Sequence, residues 1–191
     1  DRELSILAVR GRDGAVAFYP LTENHHRDGI LRLSLAPAPD WTTELQGQAE
    51  ALAQKVLDAL DYVGVLAIEL FQVGDVLMAN EMAPRVHNSG HWTQDGAVTG
   101  QFENHVRAVL GWPLGDPAAR GACAMVNLIG SVPARHDLLA VPGAHLHLYD
   151  KAPRPGRKLG HVNVCAADEA ERQALVARIQ ALIHPTPTEE P

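Results

Sequence analysis

The stretch from Val65 to Ala83 does most to fix what this chain can fold into. Residues 62 to 71 read as an apolar strand and residues 76 to 83 as its return, joined at Gly74-Asp75. A hairpin of this kind makes an antiparallel sheet the framework. It also poses an electrostatic problem. Glu69 sits inside Val65-Leu66-Ala67-Ile68-Glu69-Leu70-Phe71 and shares a strand face with Val65, Ala67 and Phe71. Glu81 lies on the return strand. A three-residue turn places Glu69 directly across from Glu81; a two-residue turn places it across from Asn80, one step away. Like charges opposed on a sheet destabilise it, and a buried carboxylate without a partner is costly. A divalent cation is one answer, and a small all-oxygen set suits Mg²⁺. An arginine or lysine neutralising the pair, or one glutamate facing water, is the other.

The rest of the chain supplies the elements around this hairpin. Residues 3–10 and 15–21 form a second hairpin around Gly11-Arg12-Asp13-Gly14. A polar loop, Glu23 to Gly29, leads to a short strand at 30–35 that Pro37 and Pro39 stop. Residues 43–61 form the clearest helix. Thr43 and Gln46 make a capping pattern, and Leu45, Ala49, Leu52, Val56 and Leu60 make one buried face. A second helix covers 99–110, with Phe102, Val106, Val109 and Leu110 inward. Residues 113–121, rich in Pro, Gly and Ala, mark a subdomain boundary. Strands follow near 122–130, 144–149 and 159–165, then a helix over 169–183 capped by Asp168 and Glu171. This divides the chain into 1–112, 113–183 and a disordered tail at 184–191.

Composition narrows the function classes. Hydrophobic residues at 46% with 20% charged are ordinary for a globular chain. A net charge of -7 argues against a general nucleic-acid surface. No apolar run approaches the length needed to span a bilayer. The two cysteines, Cys123 and Cys165, form no CxxC and read as free thiols of a reducing, cytoplasmic compartment. No GxSxG, Walker loop or GxGxxG is present.

Two further stretches carry chemistry. Arg85 to His91 follows the hairpin directly. His87 and His91 have a spacing that on a helix would read as zinc, but Pro84 and Asn88-Ser89-Gly90 break helices. A loop binding a polar substrate is the other reading, with Arg85 offering a planar fork to phosphate or carboxylate. A loop whose side chains cap their own backbone is the bland one. The stretch Tyr149 to His161 places Lys151, Arg154, Arg157 and Lys158 on a stiff Pro/Gly connection in an acidic chain. It reads as an anion clamp for phosphate, or as a solvated hairpin tip. His145 and His147 line one strand face, with an interface role; His105 and His136 read as surface residues.

Taken together, Val65–Phe71, Asn80–Thr93 and Tyr149–Asn163 resemble 5-(carboxyamino)imidazole ribonucleotide synthase, an ATP-grasp ligase of purine synthesis, over residues 1 to 183. The hairpin Glu3–Leu21 and the loop through His26 fit as well. The resemblance implies an α+β fold. In it, the C-terminal lobe of an ATP-grasp domain, an antiparallel sheet with packed helices, precedes a small β-rich C-terminal domain. It implies carboxylation of aminoimidazole ribonucleotide with ATP and bicarbonate through carboxyphosphate. Glu69 and Glu81 match Mg²⁺-binding acids, and Asn80 and Glu81 the pair at the ATP phosphates. Glu3 and His26 match nucleotide-contacting positions, and Arg85, His87 and Asn88 the reacting centre. Lys151, Arg154, Arg157 and Lys158 match the stretch that holds the ribonucleotide phosphate. It further implies a cytoplasmic homodimer as the intact enzyme. Members are about twice this long, so the sites here are expected to be half-sites and the chain inactive alone. The alternatives are another ATP-grasp carboxylase or ligase, which would share Glu69 and Glu81 but not the Arg85–His91 string, and a non-catalytic binding or assembly module that keeps the fold.

Overall fold

The computed structural model describes residues 1–184, so the expected tail lies outside the described residues beyond His184. The elements run β1 (Arg2–Arg10), β2 (Val16–Phe18), β3 (Thr22–Arg27), β4 (Ile30–Ala36), α1 (Thr43–Leu60), β5 (Gly64–Val73), β6 (Val76–Ala83), α2 (Thr93–Gly96), α3 (Gln101–Leu110), β7 (Ala122–Ile129), α4 (Arg135–Leu139), β8 (Ala144–Leu148), β9 (Lys158–Ala166) and α5 (Glu169–Ile183). A 3₁₀ turn covers Asn88–Gly90.

Among the described residues the strands form one nine-stranded antiparallel sheet, in the order β6-β5-β1-β3-β4-β7-β9-β8, with β2 paired to β1. The sheet runs through the expected boundary at 113–121. Strand β4 pairs directly with β7, Leu33 opposite Val126.

The polar stretch expected as a loop is strand β3. It pairs with β1 on one side and β4 on the other, and Asp28-Gly29 turns the chain with both residues at positive φ, 55° and 69°. The sequence has no apolar alternation here because its inward polar side chain is satisfied by hydrogen bonds. Asn24 Nδ2 donates to Ser5 Oγ at 2.9 Å, and Ser34 Oγ donates to Asn24 Oδ1 at 2.8 Å. A buried polar rung of this kind costs little when every group is partnered.

Helix α1 starts one residue earlier than the capping pattern indicates. Thr42 is the cap, its Oγ1 accepting from Leu45 N at 3.1 Å. Its buried face is Leu45, Ala49, Ala53 and Leu57. Leu52 and Val56 flank it, and Leu60 is exposed. Small alanines let the helix approach Ile6, Ala8 and Ile68 on the sheet. Burying one leucine such as Leu57 contributes about 2 kcal/mol.

Helix α3 is turned the other way from expectation. Phe102, Val106, Val109 and Leu110 face outward, and Gln101, Asn104 and Ala108 face inward. The polar residues are inward because they serve as ties. Asn104 Nδ2 donates to Tyr19 Oη at 2.8 Å while its Oδ1 accepts from Gly115 N at 2.7 Å. His105, expected on the surface, accepts from Val65 N through Nδ1 at 3.0 Å and so fastens the start of β5. The cap of α5 is as expected: Asp168 Oδ1 accepts from Glu171 N at 2.9 Å, and Glu171 Oε2 from Ala167 N at 2.8 Å.

The two sheet faces differ. One packs on α1 at the β5–β1 end and on α5 at the β7–β9 end. The other, bearing Leu7, Val9, Val65, Ala67 and Met125, is covered by Trp92 and Ala108. This second face carries the polar chemistry. No helix among the described residues is long and apolar enough to cross a membrane.

Candidate active site

The hairpin β5–β6 solves its register in a way the turn length alone does not give. The turn is short, with Val73 opposite Val76, which on a regular ladder would set Glu69 against Asn80. The ladder then shifts: Leu70 pairs with Ala79, and Glu69 with Glu81. Asn80 is the extra residue of a β-bulge, a device that re-aims side chains beside functional sites. The two carboxylates therefore oppose each other after all. Asn80 and Glu81 are exposed, and they border a cavity of about 260 Å³ with Leu52, Val56 and Ile68.

Glu3 and Ser5 stand beside this pair on β1, Ser5 opposite Glu69. His26 Nδ1 lies 2.5 Å from Glu3 Oε2, although not aligned as a hydrogen bond. Burial holds the Glu69 carboxyl above the usual carboxylate range; His26 pulls it back, and Glu81 and Glu3 push it further up. Three carboxylates on one face leave that face short of positive charge. The opposed pair Glu69 and Glu81 offers two oxygen donors of the type a hard divalent cation takes. Among the described residues no group of three or more His, Cys, Asp or Glu gathers around one metal position.

The segment from Arg85 to Trp92 leaves β6 and folds over the sheet. Gly90 is buried, and a Cβ there would overlap Leu7 and the Gln101 amide. Gln101, also buried, clamps the segment like a strand partner. Its Oε1 accepts from His87 N at 2.9 Å, its Nε2 donates to His87 O at 2.8 Å, and Nε2 also lies 2.9 Å from His91 Nδ1. Thr93 Oγ1 donates to Gly90 O at 2.6 Å and accepts from Gln101 N at 2.9 Å. Trp92 is buried, with Nε1 donating to Thr22 Oγ1 at 3.1 Å.

This clamp aims the expected reacting-centre residues. His87 Nε2 stands 3.7 Å from Glu69 Oε1. Burial, with Arg85 next, lowers the His87 imidazolium to about 4, so the ring is neutral at pH 7. Its Nδ1 accepts from Ser89 N at 3.3 Å, which assigns the ring proton to Nε2, facing Glu69. Arg85 is exposed and bonds only the Val86 carbonyl, at 3.0 Å, among the described residues. Asn88 Oδ1 accepts from Lys158 Nζ at 2.5 Å.

Lys158 is the one basic residue of the four that meets the loop directly. Burial, with Lys151 next, lowers its ammonium to about 8. Lys151 and Lys158 both lie 5.4 Å from the centre of the Tyr149 ring. Arg154 is exposed and brought to nothing among the described residues; Arg157 reaches only the Ala152 carbonyl, at 3.5 Å. His91 lies in a column of rings: it stacks on Phe102 at 5.6 Å and leans on His161 at 5.1 Å. The zinc reading of His87 and His91 finds no third ligand among the described residues. The organisers Gln101, His161 and Asp95 carry no local sequence signal. Their roles come from contacts with residues 10 or more positions distant.

Comparison with known proteins shows which families this chain is similar to. Residues 1–102 match the ATP-grasp domain, and residues 123–175 match the phosphoribosylaminoimidazole carboxylase C-terminal domain. The N5-carboxyaminoimidazole ribonucleotide synthase of Pseudomonas aeruginosa is 54% identical over 181 residues, 95% of this chain and 49% of the relative. The Escherichia coli protein of the same name is 48% identical, over 98% of this chain and 51% of its own. The chain thus spans about half the length of the curated relatives it matches. Among solved structures, N5-carboxyaminoimidazole ribonucleotide synthetase from Thermus thermophilus superposes with a TM-score of 0.95 at 61% identity, over 99% of this chain and 52% of the other. The Aspergillus clavatus synthase in complex with ADP and 5-aminoimidazole ribonucleotide gives 0.91 at 34% identity, over 97% and 52%.

Proposed function

This chain belongs to the ATP-grasp family, and on that premise we propose that it serves the ATP-dependent carboxylation of 5-aminoimidazole ribonucleotide by bicarbonate, yielding N5-carboxyaminoimidazole ribonucleotide in purine biosynthesis. One observation carries the reading. A single clamped loop touches both ends of the site: His87 stands 3.7 Å from Glu69, and the next residue, Asn88, accepts from Lys158 at 2.5 Å. The loop thus links a carboxylate pair suited to a metal nucleotide with a cation suited to a substrate phosphate. The named relatives, and the Aspergillus structure with ADP and aminoimidazole ribonucleotide, support it.

In this reading Glu69 and Glu81 hold Mg²⁺, which when bound neutralises charge on the nucleotide phosphates. Asn80, Glu3 and His26 serve the nucleotide. A bicarbonate oxygen attacks the terminal phosphorus of ATP and ADP leaves; the substrate amine then attacks the carbonyl carbon of carboxyphosphate, and phosphate leaves, taking up the proton that the amine loses. Arg85, exposed and without a carboxylate partner among the described residues, offers its fork to the bicarbonate and carboxyphosphate oxygens. Neutral His87 donates from Nε2 and adds no charge. Lys158 and Lys151, with Arg154 and Arg157 on the same connection, hold the ribonucleotide phosphate. The intact enzyme is a homodimer in this reading, supported by the outward apolar side of α3. It works in the cytoplasm, supported by two free thiols facing each other across β7 and β9 at 3.1 Å.

The test is calorimetric. The 191-residue chain is titrated with aminoimidazole ribonucleotide and with the matching nucleoside lacking phosphate. Phosphate-dependent binding that Lys158→Ala abolishes is expected, with no phosphate release from ATP by the chain alone. Equal binding of both compounds, or an unaffected Lys158→Ala variant, would refute the phosphate assignment.

A further inference from the structure

We infer that Tyr149 is a positioning residue: its ring and its anchored phenol hold Lys151 and Lys158 as one cationic pair, of which Lys158 reaches the Arg85–His91 loop. The inference rests on the phosphate-binding reading given above, and it concerns a residue that touches no reacting atom.

Both ammonium groups lie 5.4 Å from the Tyr149 ring centre. That is within the range at which an aromatic face attracts a cation. Two lysines sharing one ring repel each other, and after burial it is Lys151 that lowers the Lys158 ammonium. A free pair of flexible side chains would separate into water. The ring opposes that separation only if it is itself fixed, and the phenol fixes it. Tyr149 Oη lies 2.5 Å from His161 Nδ1. Burial pushes the phenol up to about 12, so it remains a hydrogen-bond donor at neutral pH.

The anchor is rigid in turn. His161 is 1% exposed. The His147 ring stacks on it at 4.5 Å with an interplanar angle of 15°. Asp95 Oδ2 sits 2.7 Å from His147 Nε2 and accepts from Asn163 Nδ2 at 2.7 Å. The tyrosine backbone is tied as well, its N–H donating to Leu159 O at 2.9 Å. Strand β9 therefore sets the ring, and the ring sets the lysines. A tyrosine serving only to fill the core would need neither two cations on its face nor a buried acceptor at its tip.

Two measurements on the full chain test this. The first is pulse acetylation with dilute acetic anhydride, read peptide by peptide by mass spectrometry. Losing a hydrogen bond worth about 1 kcal/mol frees the pair about fivefold. Tyr149→Phe is therefore expected to speed Lys158 labelling by about that factor, and Tyr149→Leu by more, while exposed Lys55 stays constant. Unchanged Lys158 labelling in both variants overturns the inference. The second is titration with ribose 5-phosphate as a phosphate monoester probe. Tyr149→Phe is expected to weaken binding in the native background and to weaken it less once Lys158→Ala is present, since only Lys151 then remains for the ring to hold. Additive losses overturn the inference. If the unaltered chain binds no ribose 5-phosphate, the phosphate-binding reading falls, and the labelling result still decides whether Tyr149 positions the lysines.

Discussion

Replacing Gln101 by methionine removes the clamp on the candidate loop while keeping side-chain length and helix propensity. The amide makes a bidentate pair with the His87 backbone, at 2.9 and 2.8 Å, and a third contact to His91 Nδ1 at 2.9 Å. Methionine leaves three groups, the His87 N–H, the His87 C=O and the His91 Nδ1, without these partners in a partly buried site. Each such group costs about 1–3 kcal/mol, and partial access of water favours the lower end, so a loss of about 3 kcal/mol is expected. For a chain of this length that lowers the melting temperature by about 6–12 °C. Urea denaturation should show a lower midpoint with an unchanged slope, and hydrogen exchange should accelerate at the Gly90 and His91 amides. A loss below about 1 kcal/mol, with exchange unchanged, would refute the claim that Gln101 holds the loop.

Two further predictions concern charge. Burial lowers the imidazolium of His87 to about 4, of His91 to about 3 and of His161 to about 2, against about 6.5 in an unfolded chain. The unfolded state binds protons in the window below about 6.5 that the native state refuses, so stability is full above that value and falls as pH drops toward 4. The slope is up to about 1.4 kcal/mol per pH unit for each ring. Denaturation curves at pH 7.5, 6 and 5 check it, and a constant or rising stability on acidification contradicts it. Glu81→Gln, introduced into a full-length enzyme carrying this sequence, should cut turnover by orders of magnitude and leave the fold intact. Steady-state kinetics against Mg²⁺ concentration test this, and native turnover with an unchanged Mg²⁺ dependence sinks the metal assignment.

The hairpin, the helices and the strands of the C-terminal part were legible because each follows a local rule of period, cap or turn. What was not legible depends on partners far along the chain. Helix α1 offers two adjacent apolar stripes, and only the approach of the sheet selects Ala53 and Leu57 over Leu52 and Val56. Helix α3 reads as inward-facing through Phe102 and Val106, yet Gln101 and Asn104 take the inner side because the loop and Tyr19 need them. Strand β3 hides in a polar stretch since its alternation is one of hydrogen bonds. In the site, the facing of Glu69 and Glu81 was one of two readings, and the bulge at Asn80 chose between them. The basic stretch was legible as a set; that Lys158 alone reaches Asn88 was not.

The pairing of β4 with β7 makes the sheet a ruler. From β5, which carries Glu69, to β9, which starts at Lys158, the ladder passes β1, β3, β4 and β7 without a break. Five inter-strand steps, about 24 Å along the sheet, separate these strands. The consecutive loop residues His87 and Asn88 meet the Glu69 and Lys158 side chains at 3.7 and 2.5 Å, so the two ends of the site stand closer than the ladder is long. The spacing of the strands is set by main-chain hydrogen bonds, with no hinge in between. Ligands that engage both ends must fit a fixed span. A series of tethered two-headed inhibitors joining a nucleotide to a ribose phosphate should therefore peak sharply at one linker length, with little tolerance on either side.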